Sequence, residues 1–199
     1  LAFDERLIAD AFDALQNGHP AELNYRIDNT MRTIGTRLSF EISTRYQQHG
    51  LPDGTIRAHF TGSAGQSFAA FGAKGLAFSV EGDANDYFGK GLSGAVLSLY
   101  PDRKSTFIAE HNIVLGNVAL YGATSGAAYI RGIAGERFAV RNSGAVSADS
   151  ATMQGGKIVF KASLRAEVGG TVSANGTSGG SVDISAAHSL DPNAPGVVI

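Results

Sequence analysis

Two hydrophobic periods divide the chain. Near the amino terminus Leu7, Ile8, Ala11, Phe12 and Leu15 recur at three- and four-residue intervals. With Asp4 placed to cap and Gly18 and Pro20 as stop signals, the spacing predicts a helix. Leu23, Tyr25 and Ile27 then alternate as in a half-buried strand, and Leu38, Ile42 and Tyr46 return to the spacing of a second helix, ending at Gly50, Leu51 and Pro52. The first quarter therefore reads as mostly helical.

After Gly62 the period changes, and no amphipathic helical stretch longer than about two turns appears. Short apolar and β-branched runs follow one another instead, punctuated by glycine. They are Leu76 to Val80, Ala95 to Tyr100, Asn112 to Leu115, Asn117 to Tyr121, Ala127 to Ile130, Phe138 to Val140, Lys157 to Phe160 and Ser181 to Ile184. From Leu76 to Ala95 is 19 residues and from Phe138 to Ile158 is 20, while runs starting at Asn117, Ala127 and Glu136 are about ten apart. This rhythm predicts an all-β, right-handed parallel β-helix, a solenoid whose coils of about twenty residues each carry two or three short strands. Val80, Leu97, Val118, Ile130, Val140 and Val159 are the expected inward column. The expected organisation is a helical cap and linker over 1–61, the β-helix over 62–190 and a tail over 191–199. The cap would cover one raw end of the solenoid, which would otherwise template aggregation.

Composition sharpens this picture. Glycine accounts for 26 of 199 residues against about 7% in ordinary proteins, and only Gly18, Gly35, Gly50 and Gly54 precede Gly62. The 16 basic and 18 acidic side chains give a net charge of -2, so no global field draws the chain to nucleic acid or an anionic membrane. No apolar run approaches the roughly 18 residues of a membrane span, and neither nucleic acid nor membrane is expected as a partner. The first residue is Leu1 rather than Met, from which a processed chain or a piece of a longer one is expected. Cysteine is absent, so this chain offers no disulfide, thiolate metal site, iron–sulfur ligand or cysteine nucleophile.

Each candidate motif has a plainer structural reading. Gly89, Lys90, Gly91, Leu92, Ser93 and Gly94 have the G-x-G-x-x-G spacing of a pyrophosphate loop, but an alternating strand follows where the chemistry needs a helix amino terminus. A tight β-corner is expected there. Glu81, Asp83 and Asp86 with Asn85 gather carboxylates around Gly82, without the twelve-residue spacing of a calcium loop. They read as turn formers. His19, His49, His59, His111 and His188 never fall at metal-ligand spacing. Ser63 and Ser67 lack the nucleophile-elbow pattern, and Asn175, Gly176, Thr177 is a formal glycosylation triplet. No residue is nominated as catalytic, cofactor-binding or metal-ligating.

The stretch Gly62 to Phe68, Glu81 to Tyr87 and Gly89 to Gly94, with Gly116 to Gly126 and Ala134 to Gly144, resembles the carboxy-terminal β-helix domain, the GXGXG domain, of the glutamate synthase large subunit. Ile27, Asn29, Thr30, Arg32, Ile34 to Thr36, Leu38 and Ser39 look like that family's linker into its β-helix. The resemblance covers about residues 4–145. It implies a noncatalytic, cytoplasmic β-helix that braces a glutaminase domain and an FMN-carrying synthase barrel, which are its expected partners. The parent enzyme would make glutamate from glutamine and 2-oxoglutarate with FMN and an iron–sulfur cluster; this chain would hold no cofactor itself. Residues 146–199 lack the Gly-Asp-His-Gly-Cys type stretch usual in that family. Gly155 to Ala162, Gly169 to Gly176 and Gly179 to Ala186 look instead like coils of secreted adhesins such as filamentous haemagglutinin. Two other readings stand beside the first: a structural, adhesive or chimeric β-helix with no enzyme attached, and a stand-alone β-helix subunit of an amidotransferase complex.

Overall fold

The computed structural model describes residues 3–134 and, beyond them, the backbone pairing of short strands between 137 and 198. The chain opens with α1 (Phe3–Asp10) and α2 (Phe12–Asn17), then β1 (Ala21–Ile27) and α3 (Thr36–Tyr46), which runs into a 3₁₀ turn at Gln47–His49. The single helix read from the apolar spacing is thus two short ones separated at Ala11, with Gly18 in the left-handed conformation ending the second. Leu7, Leu15, Leu38 and Ile42 bury the apolar stripe that the spacing marked. Asp4 does not cap its own helix. It lies within α1, and its carboxylate accepts the Gly35 and Arg37 backbone N–H groups, each at 2.8 Å, at the amino terminus of α3. One buried side chain therefore clamps α1 onto α3 by satisfying amides that a helix start leaves free.

The strands follow as β2 (Ile56–Ala64), β3 (Leu76–Ala84), β4 (Ser93–Tyr100), β5 (Ile113–Leu115), β6 (Val118–Ala119), β7 (Ser125–Ile130) and β8 (Ile133–Ala134). Then come β9 (Arg137–Phe138), β10 (Arg141–Asn142), β11 (Ala145–Ser150), β12 (Lys157–Ala162), β13 (Ala166–Val168), β14 (Val172–Gly176), β15 (Ser181–Ala186) and β16 (Val197–Val198). The fold is predominantly parallel β-sheet with few helices. The main sheet is open, in the order β1-β2-β3-β4-β7-β11-β14, while β6-β9, β10-β13-β16 and β12-β15 form smaller parallel sheets. Parallel neighbours need long crossovers, which is why strands adjacent in space lie about twenty or more residues apart in sequence. The strand predicted from Leu23, Tyr25 and Ile27 is β1, the first member of this sheet, so β1 and most of β2 precede the composition change at Gly62.

The core is a column of rings stacked from rung to rung. Ladder partners Tyr25 and Phe60 stack at 5.7 Å, Phe60 meets Phe78 edge-on at 5.2 Å, and Phe68 stacks on Phe88, twenty residues later, at 5.6 Å. Such pairs add to the area they bury because quadrupoles favour offset and edge geometry. Val80 and Leu97 are fully buried, as the inward column predicts. Ile130, paired with buried Leu99, shares the inward face with Ala128 and packs partly buried against the core, whereas Val118 is only half-buried and Ala119 takes the interior position instead. Val140 and Val159 lie outside the described side chains. Gly62 and Gly82 are ladder partners, and a Cβ on Gly82 would run into the Gly62 carbonyl oxygen, so close stacking requires glycine there.

Candidate functional site

The G-x-G-x-x-G segment is a corner whose amides are already used. Gly89 donates its N–H to Phe68 O at 2.8 Å, Gly91 to Tyr121 O at 2.8 Å and Ser93 to Gly72 O at 2.8 Å; Lys90 and Leu92 bond within the turn. A phosphate cradle needs these donors free, and β4 rather than a helix follows. The backbone explains the recurrence instead: Ser67, Ala69 and Phe71 have left-handed φ, and twenty residues later so do Tyr87, Gly89 and Gly91. Ala69 and Phe71 accept this strained conformation where Gly89 and Gly91 relieve it, while Ser67 and Tyr87 both bear it with a side chain.

The acidic segment splits into separate tasks. Asp86 Oδ1 accepts the Asn117 N–H at 2.7 Å, and Asn85 Oδ1 accepts the Asp86 N–H at 2.8 Å, so both stabilise turns. Glu81 lies on the outward side of β3, away from them. Among the described residues no three His, Asp or Glu side chains converge as a metal site. His19 pairs with Asp13 at 2.9 Å on the surface, where hydrogen bonds from Asn17 and His19 hold the Asp13 carboxyl below its usual range. His188 lies outside the described residues, and Asn175 is described by backbone alone.

Sequence reasoning missed one cluster. His59 and Ser79 are direct ladder partners, with His59 Nδ1 2.9 Å from Ser79 Oγ, and His59 Nε2 is 3.4 Å from Glu81 Oε2. The signal was the twenty-residue repeat, which sets positions 59 and 79 side by side. Serine, imidazole and carboxylate in hydrogen-bond order have the outline of a hydrolase relay. The setting does not favour that chemistry, because β3 is paired on both sides and its amides are spent on the ladder rather than free as oxyanion donors. The cluster is a polar ladder on the outside of the sheet.

Beside it the chain departs from its rhythm. Between β4 and β5, residues 101–112 form an excursion that ends in a 3₁₀ turn at Ala109–His111. It walls a cleft of about 510 Å³ against the outer face of the sheet, with Ser98, Tyr100, Tyr129 and Arg131 on the floor side and Arg103 and Phe107 in the wall. Phe107, Ile108, Ile113 and Ile133 expose apolar surface next to it, Ile113 and Ile133 being ladder partners at 69% and 39% exposure. Exposed apolar groups gathered in one place mark contact surfaces more often than reaction sites. No thiolate exists in the sequence, and the glycine-corner amides are occupied, so these residues fit neither iron–sulfur ligation nor a flavin phosphate.

Comparison with known proteins gives this surface its setting. The GXGXG-motif family profile matches residues 4–189, so the match runs past residue 145, where the resemblance was expected to fade. Glutamate synthase [NADH] of Schizosaccharomyces pombe is 51% identical over 164 residues, covering 79% of this chain and 8% of that protein. The glutamate synthase [NADPH] large chain of Bacillus subtilis is 53% identical over 132 residues, 66% of this chain and 9% of the relative. Ferredoxin-dependent glutamate synthase 2 of Synechocystis is 45% identical over 142 residues, 70% of this chain and 9% of the relative. The chain thus spans under a tenth of the length of the relatives it matches.

Proposed function

The chain belongs to the GXGXG-motif family, and from that membership we propose that it is the noncatalytic β-helix domain of a glutamate synthase. The observation that carries this reading is 53% identity to a glutamate synthase large chain across two thirds of the residues. On this reading the parallel sheets are faces of one right-handed solenoid over about 62–190, extended toward the amino terminus by β1 and β2, with α1 to α3 as its cap. The parent enzyme would convert glutamine and 2-oxoglutarate to glutamate, using FMN and an iron–sulfur cluster held by other domains. This domain would brace the glutaminase and synthase domains against one another. A stack of internally bonded rungs suits that task, since its faces are broad and its ladder bonds need no neighbour. The relatives are named for NADH, NADPH and ferredoxin at similar identity, so the domain's sequence does not follow the electron donor.

A cytoplasmic location belongs to the same reading. Among the described residues no helix is long and apolar enough to cross a membrane.

The test has two arms. The gene flanking these 199 codons should encode a cysteine-initiated glutaminase domain and a flavin barrel, and its full product should show glutamine-dependent glutamate synthesis. The 199-residue chain alone should show neither glutaminase nor synthase activity. A secretion signal in place of those domains would favour the adhesive β-helix, and a free-standing gene whose product copurifies with a flavoprotein would favour the separate subunit. Turnover by the isolated chain would end all three readings.

A further inference from the structure

We propose that Glu81 is a latch that fixes the 101–109 excursion over the outer face of the sheet and so gives the cleft its wall. Its carboxylate faces two ways. Oε1 accepts the Arg103 backbone N–H at 3.0 Å, while Oε2 faces His59 Nε2 at 3.4 Å, and His59 is steadied in turn by Ser79 Oγ at 2.9 Å. The strands hold the carboxylate from one side, and the carboxylate holds the loop from the other. Its register neighbours are Thr61 on β2 and Tyr100 on β4.

Among the described residues the excursion's own bonds shape it locally. The Lys104 N–H bonds to Asp102 Oδ1 at 2.7 Å and the Ser105 N–H to Asp102 O at 2.8 Å, which shapes a local turn but leaves it free of the sheet. Pro101 and Ala109 are buried and anchor its ends. Between them the Arg103 amide meets an anionic acceptor whose side chain is only 15% exposed, and charge-assisted bonds of that kind are among the stronger ones. The Arg103 side chain itself is 81% exposed and its Nε lies 3.9 Å from Glu81, so the guanidinium contributes little. The backbone bond is the latch.

The consequence is preorganisation. With the loop fixed, Phe107 is held in one arrangement across the cleft from Tyr129, so the wall is already ordered. The latch does not depend on the scaffold role proposed above.

Amide hydrogen exchange on the full 199-residue chain, read by mass spectrometry, tests it. Glu81→Ala should speed exchange in peptides covering 102–108 by at least about tenfold, leaving the β3 peptide 76–84 unchanged. Glu81→Gln keeps an acceptor for the Arg103 N–H and should stay within about threefold of the parent. Arg103→Ala keeps the backbone bond and should change nothing. If Glu81→Ala also exposes β3, Glu81→Asp is the second variant: one methylene too short to reach, it should loosen the loop alone. Unchanged loop exchange in the folded variant that lacks the contact, or an effect of Arg103→Ala as large as that of Glu81→Ala, would overturn the proposal.

Discussion

The steps from β2 to β4 and the step from β4 to β7 use the same parts with different amounts of chain. Ile56 pairs with Leu76 twenty residues on and Ala77 with Val96 nineteen on, and both ladders run without interruption. Val96 meets Ala127 only thirty-one residues on, with a register shift between Ser93 and Val96. A step of about twenty residues has no chain to spare: aromatic side chains fall on those of the neighbouring strand, and Gly82 meets Gly62 backbone to backbone. The additional dozen residues of the longer step leave the rung as the 101–112 excursion and carry Phe107 and Ile108 to the surface. Where the repeat holds, sequence is spent on stability; where it breaks, sequence becomes available for contact.

Substitutions should separate the two regions. The largest effect is expected at Phe60, which is fully buried and touches Tyr25, Phe68 and Phe78. Phe60→Ala should cost about 4 kcal/mol in denaturant unfolding, and a loss below about 1 kcal/mol would break the comparison on its stable side. Next come the close backbone approaches. Gly82→Ala should cost about 3 kcal/mol because its Cβ has no room against Gly62 O. Gly126→Val should be comparably harmful: Gly126 is the second residue of β7, its φ is +108°, and a Cβ would meet Ala95 O. An unchanged melting temperature in either variant would show that these rungs are not tightly stacked.

The helical cap should respond more moderately. Asp4→Ala removes the α1–α3 clamp and should cost about 2 kcal/mol. Burial pushes the Asp4 carboxyl above its usual 3.8, against the opposing pull of the Gly35 and Arg37 amides and the Arg37 charge. A raised folded value means that the folded chain holds this proton more tightly than the unfolded chain. The contribution to stability is therefore full below 3.8 and is lost as pH rises through the folded value. The stability difference between the parent and Asp4→Asn should shrink across that window, and a difference that grows with pH would contradict the burial argument. The smallest effect belongs to the excursion: Phe107→Ser, at a site 47% exposed, should change stability by less than about 0.5 kcal/mol, whereas a loss above about 1 kcal/mol would place it in the core.

Much of the regular region was legible in the sequence because its cause is local and repeated. Short runs bounded by glycine located β3, β4, β7, β12 and β15, and alternation at Leu23, Tyr25 and Ile27 located β1. The facing of short strands was less legible. In a run of three to six residues a shift of one position exchanges inside for outside, which is how Ala119 took the place assigned to Val118. Contacts between distant segments were not legible at all. Nothing near Asp4 signals that its carboxylate serves a helix starting thirty residues later, and nothing near Arg103 signals Glu81. The His59–Ser79–Glu81 cluster stood between these cases, since the repeat gave its register but not its meaning.

The central claim is that β1, β2, β3, β4 and β7 are successive parallel neighbours in one stack, and a distance tests it directly. Because the chain has no cysteine, Asn24→Cys and Tyr129→Cys would create two unique sites for spin labels on the outward row that runs through His59, Ser79 and Ser98. Four ladder steps separate their backbones, so double electron–electron resonance should give a narrow distribution centred at about 19 Å, adjusted for label length. A distribution centred beyond about 30 Å would contradict the stack, because strands at their ladder spacing cannot set these two positions that far apart.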